Sequence, residues 1–250
     1  MVVREVRAKS ILNASKIYDF CVNPYTGCGV ACRYCYAALF IPRYSGHSEP
    51  WGTFVDVKVN APELLARQIP RAKPGQIWIA SVCDPYQPAE QRFGLTRACL
   101  EILRESGRRI TIQTKSARIL RDFDLIRSIP KVNVTISITT DDEKTASLFE
   151  PRASSPAERI EALARFHEAG VHTSAFIGPI IPGDHARLVG LLAGKVDDVL
   201  VDRLNYVPQV RAFAERHGFG HALTDAYFLE RRRVIAAALK SAGIPARIVF

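Results

Sequence analysis

Short apolar stretches alternate with longer amphipathic stretches along most of the chain. The short stretches are rich in β-branched residues and predict strands, because such residues pack well on a pleated surface. The predicted strands are Ile77–Cys83, Arg109–Lys115, Val132–Thr139, Val171–Gly178 and Val196–Leu204, with an earlier one near Ile17–Asn23 and a last one at 246–250. The amphipathic stretches predict helices at Leu95–Glu105, Ala117–Ser128, Pro156–Ala169, His185–Ala193 and Asp225–Ser241.

The alternation of strands and helices predicts an α/β fold with parallel strands joined by right-handed crossovers. About six such units fit either an open doubly wound sheet or a partial barrel. In both, the carboxyl ends of the strands share one face, where enzymes of this class place their chemistry. The polar residues predicted at those strand ends are Asp84, Lys115, Ser116, Thr139 and Thr140.

The composition fits one globular domain over residues 1–250. Hydrophobic residues make up 48% of the 250 residues, which is enough for one well-buried core. No apolar run approaches the roughly 20 residues that span a bilayer, and the N-terminal MVVREVRAKS lacks the apolar segment of a secretory signal. We therefore expect no membrane partner and a cytoplasmic location.

The formal net charge of +9 favours a polyanionic partner such as nucleic acid, because Lys and Arg displace the counterions condensed on phosphates. Many soluble enzymes are also basic, so the charge by itself leaves the partner open.

Three of the six cysteines lie close together, with the spacing C-x3-C-x2-C, at Cys28, Cys32 and Cys35. Thiolates suit iron–sulfur clusters and zinc, and three of them leave one iron of a cubane open. A zinc site with His47 or Cys21 as fourth ligand is the alternative, although zinc sites usually contain a second ligand pair. Chance clustering of buried cysteines is a third interpretation.

This motif resembles the signature of the radical S-adenosylmethionine (SAM) superfamily, C-x3-C-x-aromatic-C, with Tyr34 as the aromatic residue. The phrases NPYTGC, DPYQPAE, TKS, SITT, EPR and GPIIPG follow in the order of the spore photoproduct lyase-like branch. The resemblance implies a partial (β/α)6 TIM-type barrel of parallel strands, with the cluster loop at the strand C-terminal face. It also implies a 4Fe–4S cluster and SAM as cofactors, whose reductive cleavage gives a 5′-deoxyadenosyl radical.

The resemblance also implies SAM contacts for residues beyond the cysteines. Ser81 and Asp84 correspond to the place that contacts the SAM amino group, although Asp-Pro is also a common turn. Lys115 corresponds to a lysine near the SAM carboxylate, where an anionic partner would offset its burial.

Three further positions have implied cofactor contacts and equally ordinary alternatives. Ser137 corresponds to a residue near the ribose, or is a small polar residue inside the barrel. Arg152 would pair with a carboxylate, either that of SAM or that of Glu150. Ile180 corresponds to a residue that packs on adenine, or belongs to the core.

Cys83 and Tyr86 are the candidate catalytic residues. True photoproduct lyases have a cysteine near this strand end that returns a hydrogen atom to the product radical, and the resemblance leaves Cys83 and Ser81 as alternatives for that position. Cys83 is otherwise a thiol of the SAM pocket or an inert residue. Tyr86, with Tyr25, Tyr36 and Tyr206, would line a cavity suited to a stacked base, or pack in the core.

The predicted function is a radical SAM enzyme that modifies or repairs a pyrimidine base in DNA or tRNA, with ferredoxin or flavodoxin as electron donor. One alternative keeps the radical chemistry but acts on a small metabolite, peptide or protein. The other is a zinc-stapled nucleic-acid-binding module without enzymatic activity.

Overall fold

The computed structural model describes all residues from Met1 to Phe250. The chain forms two compact units, the first made of 1–31 and 37–134 and the second of 32–36 and 135–250. The prediction of one domain stays a prediction. No helix is both long enough and apolar enough to cross a membrane.

The first unit contains two sheets and the helices that cover them. Its strands are β1 (Val2–Val6), β2 (Leu12–Ala14), β3 (Phe20–Val22), β4 (Tyr25–Thr26), β5 (Phe54–Lys58), β6 (Ile77–Ile79) and β7 (Ile110–Thr114). Its helices are α1 (Ile41–Ser45), α2 (Ala61–Gln68), α3 (Glu90–Phe93), α4 (Leu95–Arg104) and α5 (Phe123–Arg127). The larger sheet has the order β2-β3-β6-β7, and the smaller one has the order β1-β5-β4.

Parallel pairing dominates the first unit. Strands β3 and β6, β6 and β7, and β1 and β5 are parallel, whereas β2 and β4 each run antiparallel to their neighbour. Buried isoleucines of β6 and β7 form the core of the larger sheet, with Ile77 in register with Ile110 and Ile79 with Ile112. The carboxyl ends of β3, β6 and β7 therefore lie side by side.

The second unit continues the α/β pattern. Strand β8 (Val132–Ser137) begins in the first unit and ends in the second, where β9 (His172–Ile177), β10 (Asp198–Val201) and β11 (Ala246–Ile248) follow. The helices are α6 (Glu143–Phe149), α7 (Pro156–Glu168), α8 (His185–Leu192), α9 (Val207–Arg216) and α10 (Asp225–Ser241). The strand order is β8-β9-β10-β11, and β9–β10 and β10–β11 are parallel pairs.

The predicted class, an α/β fold with mostly parallel strands, is confirmed, and helix α7 is capped at both ends. Ser155 forms a capping box with Glu158, Pro156 is the first helical residue, and Gly170 has φ +76° just after the helix. The predicted strand Ile77–Cys83 ends early, because Ala80 has φ 62° and turns the chain out of the sheet.

One predicted helix is wrong in part. Residues Ala117–Asp122 form a 3-10 helix, and only Phe123–Arg127 of the predicted stretch is α-helical. The Ser116 side chain accepts a hydrogen bond from the Arg118 backbone and starts the tighter turn.

Candidate functional site

The first half of the cysteine loop has a constrained backbone. Gly27, with φ +84°, lies so close to β5 that an added Cβ would be 2.5 Å from the Phe54 carbonyl oxygen. Ala31 has φ 60°, a conformation that costs energy for any residue with a Cβ. Local strain of this kind is typical of a loop whose shape is set by what it binds.

Asp84 fastens this loop to the ends of β6 and β7. Its backbone N–H donates to Cys28 Sγ at 3.3 Å, and its Oδ2 accepts from the Lys115 backbone at 2.7 Å. Its Oδ1 accepts from the Thr114 hydroxyl at 2.6 Å and from the Tyr86 backbone at 2.8 Å. Three protein donors thus hold the carboxylate, so Asp84 connects the segments that follow β6 and β7. Its contact with SAM stays a prediction.

Ser81 is tied to the end of β3 through Asn23. The Asn23 amide donates to Ser81 Oγ at 3.1 Å, and its carbonyl oxygen accepts from the Val82 backbone at 3.0 Å. The turn at Ala80 directs this segment toward the residue that follows β3. Ser81 and Asp84, predicted as SAM contacts, and Cys28, predicted as a cluster ligand, are therefore brought together in the first unit.

Gln87 is fully buried and hydrogen-bonds to the backbone of the cysteine loop. Its Oε1 accepts from the Gly29 backbone at 2.7 Å, and its Nε2 donates to the Gly27 carbonyl at 3.4 Å. The residues on either side of Cys28 are therefore fixed by a single side chain.

Tyr86 lies in a buried network and not on an open surface. Its hydroxyl donates to Asp122 at 3.1 Å, and Arg121 bridges Asp122 and Glu90 with contacts of 2.8 and 2.7 Å. Burial and the neighbouring Asp122 carboxylate raise the pKa of Tyr86 well above its ordinary value. Glu90 also accepts from the Tyr25 hydroxyl at 2.5 Å. Tyr86 and Tyr25 are therefore joined through Asp122, Arg121 and Glu90 in one hydrogen-bonded network, and the catalytic role of Tyr86 stays a prediction.

Cys83 is half-buried against a cluster that includes Tyr25 and Val57. Burial, followed by the negative charge of Cys28, raises the pKa of Cys83, so this side chain keeps its proton at neutral pH. Lys58 lies nearby and donates to the Asn23 carbonyl at 2.9 Å, and burial lowers its pKa. The site therefore holds a neutral thiol near a half-buried lysine.

The second half of the motif is held within the second unit. The Tyr34 hydroxyl donates to Glu150, which also accepts from the Thr139 hydroxyl at 3.0 Å and pairs with Arg159 at 2.5 Å. Burial, then the charge of Glu150, raises the pKa of Tyr34 well above its ordinary value. The Arg33 backbone donates to the Phe149 carbonyl at 2.9 Å. Tyr34, which lies between Cys32 and Cys35, is thus held by residues just after β8, just after α6 and near the start of α7.

The other predicted cofactor residues occupy different settings. Ser137 is buried at the end of β8, and its carbonyl accepts from Arg159 at 3.0 Å. Ile180 is buried, and its backbone donates to the Asp202 carbonyl at 3.0 Å. Arg152 is exposed. The buried partner found for Glu150 is Arg159.

Sequence reasoning missed three of the residues that hold this site. Asn23 and Gln87 gave no distinct signal, because a polar residue in a loop has many ordinary explanations. Arg159 did give one, since it lies between Pro156 and Leu163 on the buried side of α7. An arginine on an apolar helix face is rarely buried unless it is paired.

No three His, Cys, Asp or Glu side chains form a preassembled metal-ligand group in the structure. Comparison with protein families identifies residues 22–188 as matching the Radical SAM superfamily. The chain belongs to the radical SAM superfamily. Membership implies a 4Fe–4S cluster and SAM as the cofactors of this family.

Related radical SAM sequences include proteins with and without assigned activities. An uncharacterised protein of Methanocaldococcus jannaschii is 36% identical over 71% of this chain and 67% of its own length. The radical SAM Nalpha-GlyT isomerase of Pseudomonas phage M6 is 25% identical over 64% of this chain and 33% of its own length. The chain spans 57% and 61% of two other curated relatives, so it matches only part of their lengths.

The fold is that of spore photoproduct lyase. A solved structure of this enzyme, complexed with dinucleoside spore photoproduct, matches with a TM-score of 0.73 at 17% identity. The match covers 98% of this chain and 81% of the lyase chain. Likeness at this level of identity establishes that the two proteins share a fold.

Proposed function

We propose that this protein is a radical SAM enzyme that modifies or repairs a pyrimidine base in nucleic acid, either DNA or tRNA. The observation that supports this substrate most is the likeness in fold, over nearly the whole chain, to a lyase solved with a dinucleoside substrate. The net charge of +9 also fits a polyanionic partner. In this proposal the active unit is a single 1–250 domain that works in the cytoplasm.

The residues present fit the cofactors of the family. Cys28, Cys32 and Cys35 would hold a 4Fe–4S cluster, because thiolates are its usual ligands and three of them leave one iron for SAM. The Asp84 N–H, 3.3 Å from Cys28 Sγ, is a hydrogen bond of the kind that tunes cluster potentials. When bound, cluster and SAM supply a 5′-deoxyadenosyl radical, with an electron from a ferredoxin or flavodoxin.

The strand ends would orient SAM. Ser81, held by Asn23, offers a hydroxyl toward the amino group, and Lys115 offers an ammonium toward the carboxylate. Asp84 would keep Ser81 and Lys115 in place, because its carboxylate accepts from the backbone of the segments that follow β6 and β7. Tyr34 would contribute its backbone to the cofactor pocket. The hydrogen bond from its hydroxyl to Glu150 would hold that backbone in place.

The remaining predicted SAM contacts are residues of the second unit. Ser137 would lie near the ribose, Ile180 would pack on adenine, and Arg152 would pair with a carboxylate. These three assignments follow the family resemblance.

Cys83 would return a hydrogen atom to the substrate. A thiol acts as a hydrogen-atom donor only while it is protonated, and the raised pKa of Cys83 keeps it so. The S–H bond breaks, a C–H bond forms on the substrate radical, and the cysteine is left as a thiyl radical. The same ferredoxin or flavodoxin would supply the electron, and solvent the proton, that restore the thiol. Tyr86, predicted as the second catalytic residue, would instead hold the segment that carries Cys83 through its hydrogen bond to Asp122.

The test is anaerobic reconstitution followed by reduction with dithionite in the presence of SAM. We expect 5′-deoxyadenosine and methionine from the wild type, and their loss in Cys32→Ala. Cys99→Ala, which removes a buried cysteine of α4 outside the motif, should retain activity. Protein that binds zinc and forms no 5′-deoxyadenosine would overturn the radical assignment.

The substrate class is tested next with the active protein. Single-stranded DNA or tRNA should increase the rate of 5′-deoxyadenosine formation, and this increase should fall with rising salt. Stimulation by peptides or small metabolites, with none from either nucleic acid, would support the alternative substrate class instead.

A further inference from the structure

Two exposed tyrosines lie against each other beside the third cysteine of the motif. Tyr36 is 37% exposed and Tyr206 is 47% exposed. Their ring centroids are 6.4 Å apart, and their planes differ by only 21°. Large aromatic side chains are usually buried, so a nearly parallel pair that keeps much of its surface in water suggests a ligand with a flat face.

The pair is fixed to the cysteine loop. Tyr36 directly follows Cys35, and Tyr206 immediately precedes α9. The Gln209 side chain of this helix donates to the Cys35 carbonyl at 2.8 Å, while its backbone N–H donates to the Tyr206 carbonyl at 3.1 Å. One glutamine therefore links both tyrosines to the metal-binding segment, so a ligand on the rings would lie at a defined distance from it.

The chain segments that carry the two tyrosines also contain arginines, which suits a nucleic-acid partner. An arginine precedes each tyrosine by three positions, at Arg33 and Arg203. Arg33 is exposed, and its guanidinium lies 5.4 Å from the centre of the Phe213 ring. Arg203 forms a surface ion pair with Asp225 at 2.7 Å, and such pairs are weak enough to be exchanged for a phosphate. Proteins usually bind single-stranded nucleic acid with aromatic faces together with positively charged side chains, and the segments that carry the two tyrosines contain both.

We infer that Tyr36 and Tyr206 form a stacking platform for a nucleobase that flanks the reacting base in the substrate strand. The inference rests on the proposed function, because it assumes a nucleic-acid substrate. The reacting base needs a pocket from which water is excluded, whereas this pair is open to solvent. The exposure of the rings therefore assigns them to the neighbouring nucleotide.

The test measures binding of a fluorescein-labelled single-stranded oligonucleotide, as DNA and as RNA, by anisotropy. Tyr206→Ala should weaken binding about 10-fold, because this factor corresponds to about 1.4 kcal/mol, which lies within the range for stacking of one base on an aromatic ring. Tyr206→Phe should bind like the wild type, since the hydroxyl does not stack. The slope of log affinity against log salt should not change, because no phosphate contact is removed.

Two controls separate stacking from general damage. Tyr44→Ala removes a tyrosine that is 85% exposed and outside the pair, and it should bind like the wild type. Tyr206→Leu keeps an apolar side chain without an aromatic face, so it should behave like Tyr206→Ala while circular dichroism confirms that it is folded.

A length series tests the assignment to a flanking base. A single nucleotide should compete with the labelled oligonucleotide equally well for wild type and Tyr206→Ala. A trinucleotide should compete less well for Tyr206→Ala than for the wild type. Equal loss with the single nucleotide would mean that the pair binds the reacting base and would overturn the inference. Wild-type protein that binds neither DNA nor RNA would overturn the proposed substrate itself. Normal binding by Tyr206→Ala would overturn the platform alone.

Discussion

At the scale of single residues, the site depends on buried amide side chains that hold its backbone. Gln87 is fully buried, and both atoms of its amide are used by the backbone of the cysteine loop at Gly27 and Gly29. Asn23 does the same for the segment after β6 through Ser81 and Val82. An amide suits this task because it donates and accepts at fixed separation without bringing a charge into the interior.

Gln87→Leu should lower the free energy of unfolding by about 2 kcal/mol, because the Gly29 N–H and the Gly27 carbonyl lose their buried partner. Urea denaturation measures this loss. The variant should also retain less iron after anaerobic reconstitution, since the backbone around Cys28 is no longer held. Gln91→Leu, at an exposed position four residues later, serves as the control and should change neither quantity. Full iron content in Gln87→Leu would contradict the role given to Gln87.

At the scale of elements, the sequence predicted the strands that carry the site but not how their ends are joined. Periodicity located β6, β7, β8, β9 and β10, because each has a buried run bounded by polar residues. It missed β1, whose residues are largely exposed, and also β5, which is buried but was not distinguished from the loops around it. Partners such as Asp84 and Thr114 are 30 positions apart, and no local pattern reveals a contact over such a separation.

The same limit applies to the candidate site. The cysteine spacing and the polar strand ends were visible in the sequence, and the structure brings Cys28, Ser81, Asp84 and the start of the segment after β7 together. The second and third cysteines were also visible, but the ion pair that holds Tyr34 between them was not. Arg159 could be suspected from its place on the apolar face of α7, but its partner Glu150 could not be identified from the sequence.

Tyr34→Phe tests how the ends of β8, α6 and α7 hold the motif. The substitution removes one hydroxyl and leaves Glu150 paired with Arg159, so we expect a loss of about 1.5–3 kcal/mol in the free energy of unfolding, the range for a hydrogen bond to a charged group. Glu150→Gln should cost more, about 3–5 kcal/mol, because it leaves Arg159 buried without a counter-charge. Tyr44→Phe, at an exposed position, should have no effect in the same urea titration. Equal free energies of unfolding for Tyr34→Phe and wild type would show that the hydrogen bond from this hydroxyl does not stabilise the fold.

At the scale of the whole molecule, burial couples stability to pH. His185 is fully buried at the start of α8, and burial, reinforced by the positive charge of Arg231, lowers its pKa from 6.5 to about 4. Asp141 and Asp184 act in the opposite direction but do not overcome these effects. Between about pH 6.5 and pH 4, His185 binds a proton in the unfolded chain but not in the folded chain. The free energy of unfolding must therefore fall as the pH is lowered through this range.

His185→Phe should remove this part of the acid sensitivity. In the wild type the site should account for a loss of about 3 kcal/mol between pH 7 and pH 4, and a ring that cannot be protonated removes it. Urea titrations at both pH values give the difference for each protein, which cancels any general effect of the substitution. The exposed His221→Phe should keep the wild-type difference. The same pH dependence in His185→Phe and wild type would refute the assignment.

The division into two compact units also has an optical consequence. Both tryptophans of the chain, Trp51 and Trp78, belong to the first unit, whereas the second unit contains none. Intrinsic tryptophan fluorescence is therefore a reporter of the first unit, while circular dichroism at 222 nm follows the helices of both. In a denaturant titration, coincident curves from the two signals would mean that the chain melts as one cooperative body. Separate midpoints would mean that each unit is its own folding unit, and the emission spectrum would identify which one opens first.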